Sequence, residues 1–242
     1  MLRTRSFVKF GKVLAPAAAA LAVMLSGVAS AADFSGKRIT IVVPFNEGGG
    51  TDSYTRFMQP YFQKYLPGNP KIIVQNKPGA GGILGGNFFA QKAKTDGTWV
   101  FALSTSTISN FALGDPRVKF KLNEFIPIIL SPRGTMQYVR KDLGLQDIST
   151  LKGRVEKMRS FPKEKLVFGG KTATSAGLSL RVGLSLLGIE TKDVWGMKGN
   201  GPMALAFERG EFTVNFDNTL SYKNNRKKLH ADGTAVPFYT FG

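Results

Sequence analysis

The sequence predicts an α/β protein of two lobes around a cleft, and three observations predict it. Short apolar runs alternate with stretches of helical spacing along the chain. The connections after the first three runs carry Gly, Ser and Thr rather than bulky residues. Beyond an apolar leader, roughly 210 residues remain, enough for one large domain or two small ones with real cores.

In the leader, Arg3, Arg5, Lys9 and Lys12 precede an apolar run from Val13 to Val28, and Ala29-Ser30-Ala31 gives the small-residue cleavage pattern of a secretory signal peptide over residues 1–31. The run is dominated by alanine and falls short of the ~20 residues a membrane span needs. Export follows, to the periplasm in a Gram-negative source. Cysteine is absent, so an exported chain is held by packing alone.

The first unit is ITIVVPFNEGGGTD, Ile39–Asp52: a β-branched run that proline stops, three glycines, then Thr51 and Asp52 at a helix start. The helix that follows places Tyr54, Phe57, Met58, Tyr61, Phe62 and Leu66 on one side. A strand, an amide-rich loop and a helix N-terminus form a seat for an anion or carboxylate. The second unit is the strand Lys71–Gln75, the loop NKPGAGG over 76–82, and a helix through Leu84, Phe88, Phe89 and Ala90. Asp96-Gly97 then turns the chain into the strand Trp99–Leu103, which opens onto Ser104, Thr105, Ser106 and Thr107. In an open parallel sheet all three connections emerge at the carboxyl edge, where ligands are bound.

The second half continues the style. Phe125–Leu130 and Met136–Val139 read as strands, Ser149–Met158 as a helix, and Leu166–Phe168 as a strand leading into GGKTATS over 169–175. A helix runs from Ala176 to a stop at Gly188, Asp193–Trp195 is another strand, and KGNGP precedes a helix over Met203–Arg209. Phe212–Asp217 is the next strand. A boundary falls near 133–141, giving a first lobe over 32–135, a second over 136–234 and a strand over 235–242 that crosses back toward the first.

Charge narrows the partners. Four of the 33 lysines and arginines lie in the leader, leaving 29 against 16 acids and a net charge of about +13. The basic residues are scattered except for KNNRKK, Lys223–Lys228, read as a basic linker, and no aromatic-interleaved motif accompanies them. Nucleic acid is therefore not expected. Enzyme chemistry is poorly served: the third glycine of a dinucleotide fingerprint would fall at Leu84, no GxxxxGK[ST] occurs, and Ser175 lacks the first glycine of a nucleophile elbow. His230, the single histidine, lies in the basic stretch; zinc would have only carboxylates for ligands, and no EF-hand spacing occurs. No cofactor, metal or catalytic residue is expected.

VPFNEGGGTD, NKPGAGG, DGT before WVFAL and its STST, GGKTATSAG, KGNGPMALAFERGEF and FDN, in that order, resemble the Bug family of periplasmic receptors that serve tripartite tricarboxylate transporters. The resemblance covers almost everything after the leader. It implies a type II periplasmic binding protein: two α/β lobes that close on a small carboxylate held by backbone amides, hydroxyls and water, without catalysis, and that present it to membrane transporter subunits. A sensor for a signalling system is the alternative use of such a site. The expected ligand residues are Phe45, Gly49, Gly50, Thr51 and Asp52; Gly79, Ala80 and Gly81; Ser104 and Thr105; and, from the second lobe, Lys171, Thr172, Thr174, Ser175 and Asp217, with Lys171 as the direct charge. Asp52 either caps the helix amides or accepts a ligand ammonium group. The chain departs from the family at Asn46 and Glu47, which replace part of a proline-containing turn. It also stops at AVPFYTFG where family members continue, so the first lobe is expected to lack its C-terminal part, a monomer being the form expected of the complete chain. A truncated, non-binding product is the further alternative.

Overall fold

The computed structural model describes residues 32–132 and 134–241; the predicted signal peptide lies outside them. Two sheets organise the chain. Strands β1 (Arg38–Val43), β2 (Lys71–Asn76) and β3 (Trp99–Phe101) form the first, in the order β2-β1-β3 and parallel throughout. Each is followed by a helix: α1 (Gly50–Tyr65), α2 (Ile83–Lys92) and α3 (Thr105–Ala112). β1 is buried because helices and strands cover it: Ile39, Ile41, Val42 and Val43 are all core, and Ile39, Ile41 and Ile72 pack with Phe34, Phe62, Leu66 and Val100.

The second sheet has the order β6-β5-β7-β4-β8, built from β4 (Thr135–Arg140), β5 (Val167–Gly169), β6 (Lys192–Val194), β7 (Val214–Asn218) and β8 (Ala235–Phe241). β5 is parallel to β6 and β7, whereas β4 runs antiparallel to both β7 and β8. Helices α4 (Leu151–Arg159), α5 (Gly177–Leu186), α6 (Asn200–Glu208), α7 (Thr219–Asn225) and α8 (Lys227–Ala231) pack around it. This lobe holds the larger core, including Tyr138, Phe168, Leu180, Leu184, Met203, Phe207 and Phe216. β8 is an edge strand, where Pro237 removes no ladder bond that a central strand would need. Its antiparallel register brings the backbone of Phe241 beside Thr135, where the chain enters the sheet.

Three expectations are corrected. Phe125–Leu130 forms no strand: Phe125 is anchored on Phe89, Phe101 and Phe120, but the chain beyond it pairs with nothing in the sheets. Ile126, Ile128, Ile129 and Leu130 consequently stand exposed. The aromatic side of α1 is not its core side. Asp52 and Thr55 are its buried residues, Phe62 and Leu66 reach the core, and Phe57, Tyr61 and Tyr65 face solvent. Lys223–Lys228 is not a linker, because it runs through α7 into α8, with Arg226 buried between them. Among the described residues, no helix is long and apolar enough to cross a membrane.

Candidate functional site

Parallel pairing sends the ends of β1, β2 and β3 to one edge of the first sheet, and the three loops there make one wall of the site. After β1, Phe45 is buried and the loop 46–49 turns into α1. Asp52 holds that turn: its carboxylate accepts from the Gly48 N–H (2.9 Å), Asn76 Nδ2 (2.9 Å) and Arg56 Nε (3.0 Å). Burial alone would raise its pKa, but these donors outweigh burial and hold the carboxyl below its ordinary value. After β2, Gly79, Ala80, Gly81 and Gly82 all have positive φ, a run that only glycine-rich chain supports. The turn brings the backbone against side chains of α3. A Cβ on Gly82 would collide with Thr107 Oγ1 and lie 3.2 Å from Phe45 Cζ.

The facing wall comes from the ends of β5, β6 and β7. Lys171 is only 5% exposed; its Nζ donates to Asn200 Oδ1 (2.7 Å) and lies over the rings of Phe45 (5.6 Å) and Phe216 (5.1 Å). Desolvation pulls its pKa down to about 8, against the pull of Asp217. Asp217, fully buried, accepts from Tyr138 Oη (3.0 Å), Asn200 Nδ2 (2.9 Å) and Arg226 Nε (3.0 Å). Burial raises its carboxyl and the three donors oppose that rise. Tyr138, enclosed beside that carboxylate, is pushed well above the usual phenol value, by burial first.

Side-chain bonds join the two walls. Asn110, completely buried in α3, donates through Nδ2 to Gly81 O (3.1 Å) and accepts at Oδ1 from Thr172 Oγ1 (2.9 Å) and Thr174 Oγ1 (2.8 Å). Thr174 also reaches Asp115 Oδ2 (2.8 Å), whose carboxyl the Arg117 guanidinium holds well below the ordinary range. The Ala176 N–H lies 3.4 Å from Ser106 Oγ, and Asn225 Nδ2 lies 3.4 Å from Gly48 O. Asn218 and Ser221 press on Gly50 so closely that no Cβ would fit there. The lobes are thus closed on each other, with Phe45, Asn46, Gly82, Thr107 and Lys171 at the junction. Asn46 Oδ1 and Thr107 Oγ1 are buried there without a hydrogen-bond partner. Two open surface grooves, of 350 Å³ beside Pro60 and Lys64 and 470 Å³ beside Tyr222 and His230, lie away from these groups.

Every predicted ligand residue belongs to one of these two walls, in different employment. Phe45 and Lys171 face each other across the junction. Gly81 approaches Thr172 and Ser175, and Gly49 and Gly50 open α1. Thr172, Thr174 and Ser175 bond to protein groups, the last to Thr172 O (2.7 Å), while Asp52 and Asp217 are each enclosed by protein donors. Thr51 Oγ1 is not a described donor, its carbonyl instead accepting from Thr55 Oγ1 (2.8 Å); Ser104 is the N-cap residue before Thr105 but makes no side-chain cap bond. Sequence reasoning assigned no site role to Asn110, Asp115, Asn200 or Arg226, although Asn200 lies in the KGNGP segment it singled out, and it weighed Thr107 only with Ser104 and Thr105 as a strand-end cap or ligand contact.

Two sheets with ligand-edge loops meeting face to face define the class: a periplasmic binding protein fold. No family model matches the chain. Known relatives and structures do. It is 26% identical over 204 residues to the UPF0065 protein of the tcbD-tcbE intergenic region of Pseudomonas sp. (strain P51), covering 83% of this chain and 58% of that protein. It is 31% identical over 100 residues to BugT of Bordetella pertussis (strain Tohama I), covering 41% of this chain and 30% of BugT. The chain thus spans little more than half the length of the first of these relatives. MatC of Rhodopseudomonas palustris, solved with bound malate, superposes with a TM-score of 0.67 at 22% identity over 85% of this chain and 67% of MatC. Rpa4515 of the same organism, solved with adipate, gives 0.64 at 22% identity, over 84% of this chain and 65% of its own. The chain is thus similar in sequence to a UPF0065 protein and to BugT, and in fold to periplasmic binding proteins.

Proposed function

We propose that this chain is a periplasmic solute receptor that captures a small carboxylate between its lobes and presents it to a membrane transporter of the tripartite tricarboxylate type. The observation that carries the reading is the interlobe junction itself. Amide-rich loops from one sheet meet a buried lysine from the other, around two buried polar atoms, Thr107 Oγ1 and Asn46 Oδ1, with no protein partner. Buried polar atoms of that kind call for a guest with complementary groups. The carboxylates held by MatC and Rpa4515, malate and adipate, support the same class of guest. Binding rather than catalysis is favoured because Ser175 bonds to a backbone carbonyl, while His230 pairs with Tyr222 Oη at 3.1 Å, outside the junction. A thermal-shift screen of the purified chain against short carboxylates tests the reading, since a ligand that binds only the native state raises the melting temperature. Carboxylates that leave the melt unchanged at millimolar concentration overturn it.

A further inference from the structure

We infer that α7 and α8 form a docking groove for an acidic segment of a partner protein, one that carries an aromatic or apolar side chain between carboxylates. The groove is separate from the interlobe junction, and the inference stands whatever the junction holds.

Position separates the two. Along α7, Ser221 and Asn225 stand one turn apart and meet the first lobe at Gly50 and Gly48. Lys223 lies roughly 200° round the helix from Ser221, on the opposite side. There it lines the open groove of 470 Å³ together with Tyr222, Lys227, His230 and Ala231.

The chemistry of the groove points to its occupant. Its floor is apolar: Tyr222 is only 7% exposed, packs against Tyr138 and meets the His230 ring edge-on. Its rim is cationic. Lys223 and Lys227 are exposed, and among the described residues neither takes part in an ion pair. The nearest acids in sequence are engaged elsewhere, Asp217 with Arg226 and Asp232 with the Thr234 N–H (2.9 Å). His230 adds a third donor. The shorter contact of Tyr222 Oη is to His230 Nδ1, at 3.1 Å against 3.4 Å to Ala235 O, and assigning the hydroxyl proton there leaves the ring proton on Nε2. Two ammonium groups and an imidazole N–H around an apolar recess match carboxylates that flank an apolar side chain, with the lysine stems as walls. The charge of about +13 beyond the leader steers such a segment inward. A phospholipid surface fits less well, because a helix that lies in a membrane projects large apolar side chains outward. Here Leu229 is buried and Tyr222 is recessed.

The experiment titrates the purified chain at low ionic strength with three labelled peptides, read by fluorescence anisotropy. One has phenylalanine between two pairs of glutamates, the second has glutamines in place of the glutamates, and the third has serine in place of phenylalanine. The first should bind at least about 10-fold tighter than either of the others. Lys223→Gln with Lys227→Gln should weaken it by about 3- to 30-fold, the loss of two rim ion pairs. Lys92→Gln with Lys94→Gln, at exposed positions of the first lobe, removes the same charge and should change it by less than about twofold. Ala231→Glu, which sets a carboxylate in the groove, should also weaken the first peptide and carries the test if the paired lysine variant does not fold. Vesicles of phosphatidylglycerol and phosphatidylcholine are titrated in parallel. No binding of the acidic phenylalanine peptide at millimolar concentration, equal affinity for the serine peptide, or equal losses from the two lysine pairs overturns the inference. Vesicle binding that needs Lys223 and Lys227, without peptide binding, overturns it in favour of a membrane surface.

Discussion

Replacing Asn110 with alanine should loosen the closed arrangement more than any other single change at the junction. The residue is fully buried, holds Gly81 O of its own lobe (3.1 Å) and joins lobe to lobe through Thr172 Oγ1 (2.9 Å) and Thr174 Oγ1 (2.8 Å). At about 1 kcal/mol net for each bond of good geometry, the loss is about 3 kcal/mol. Thr174 keeps Asp115 as an acceptor, so its hydroxyl is not orphaned and the figure does not grow by a desolvation penalty there. For a chain of this size each kcal/mol lowers the melting temperature by about 2–4 °C, so a fall of about 6–12 °C is expected by calorimetry. Small-angle scattering of the same variant should show a larger radius of gyration, because two of the three lost bonds lie between lobes. A fall of less than about 1 kcal/mol, or a full fall with unchanged scattering, refutes the assignment of Asn110 to closure.

Gly50→Ala should destabilise the closed form by about 1–3 kcal/mol through overpacking, since its Cβ meets Asn218 and Ser221 across the junction; faster hydrogen exchange at Ser221 on ligand-free protein checks this. Stability should rise with pH from about 8 toward 10, because Lys171 titrates near 8 when folded and near its ordinary 10.5 when unfolded, so the unfolded chain holds more protons in that window. The gain is about 2–3 kcal/mol by urea melts and should vanish in Lys171→Met; Asp217, Arg226 and Tyr138 are the charged or titratable groups that face it, and above pH 10 the raised pKa of Tyr138 reverses the slope. Arg226→Met should cost about 3–5 kcal/mol by stranding the Asp217 carboxylate, and adding Asp217→Asn should recover most of it; failure of the double variant to recover shows that the pair's value is packing.

What was legible in the sequence was whatever is encoded locally. The three parallel strands of the first sheet are largely apolar and lead into glycine or hydroxyl residues, so the strands and the loops at their ends could be read from ITIVVPF, KIIVQ and WVFAL, while their order in the sheet came only from the structure. Phe125–Leu130 misled because β-branched composition reports a fit to a pleated, half-buried surface, and whether a partner strand exists is a tertiary fact. The face of α1 misled in part for a related reason: Phe57 and Tyr61 share core-like spacing with Phe62 and Leu66, which do reach the core, but the helix turns Asp52 and Thr55 inward, Asp52 tying the glycine loop. At the site, glycine loops announced themselves, whereas Asn110 and Arg226 carry no local signal, and the GNG around Asn200 does not reveal that its side chain binds Lys171 and Asp217. Their roles depend on tertiary partners, such as Thr172, 62 residues on, for Asn110 and Asp217, nine residues back, for Arg226.

Opposed contributions at the junction also bear on how a guest would set the balance between open and closed lobes. Asn110 and its threonines favour closure whatever occupies the cleft. Lys171 opposes it, because in the closed arrangement its ammonium leaves water for a place over the Phe45 and Phe216 rings, with Asn200 as its protein acceptor and the neighbouring carboxylate already paired to Arg226. A ligand shifts such an equilibrium only by the difference in its affinity for the two states. Any solute able to bond the first-lobe loops binds both states through them and shifts little. An anion placed against Lys171 is different, since it removes the cost of burying the charge only when the lobes meet. On the proposed reading the lysine would tie closure to the charge of the guest, and the threonine clasp on Asn110 would set how much of that cost the guest must offset.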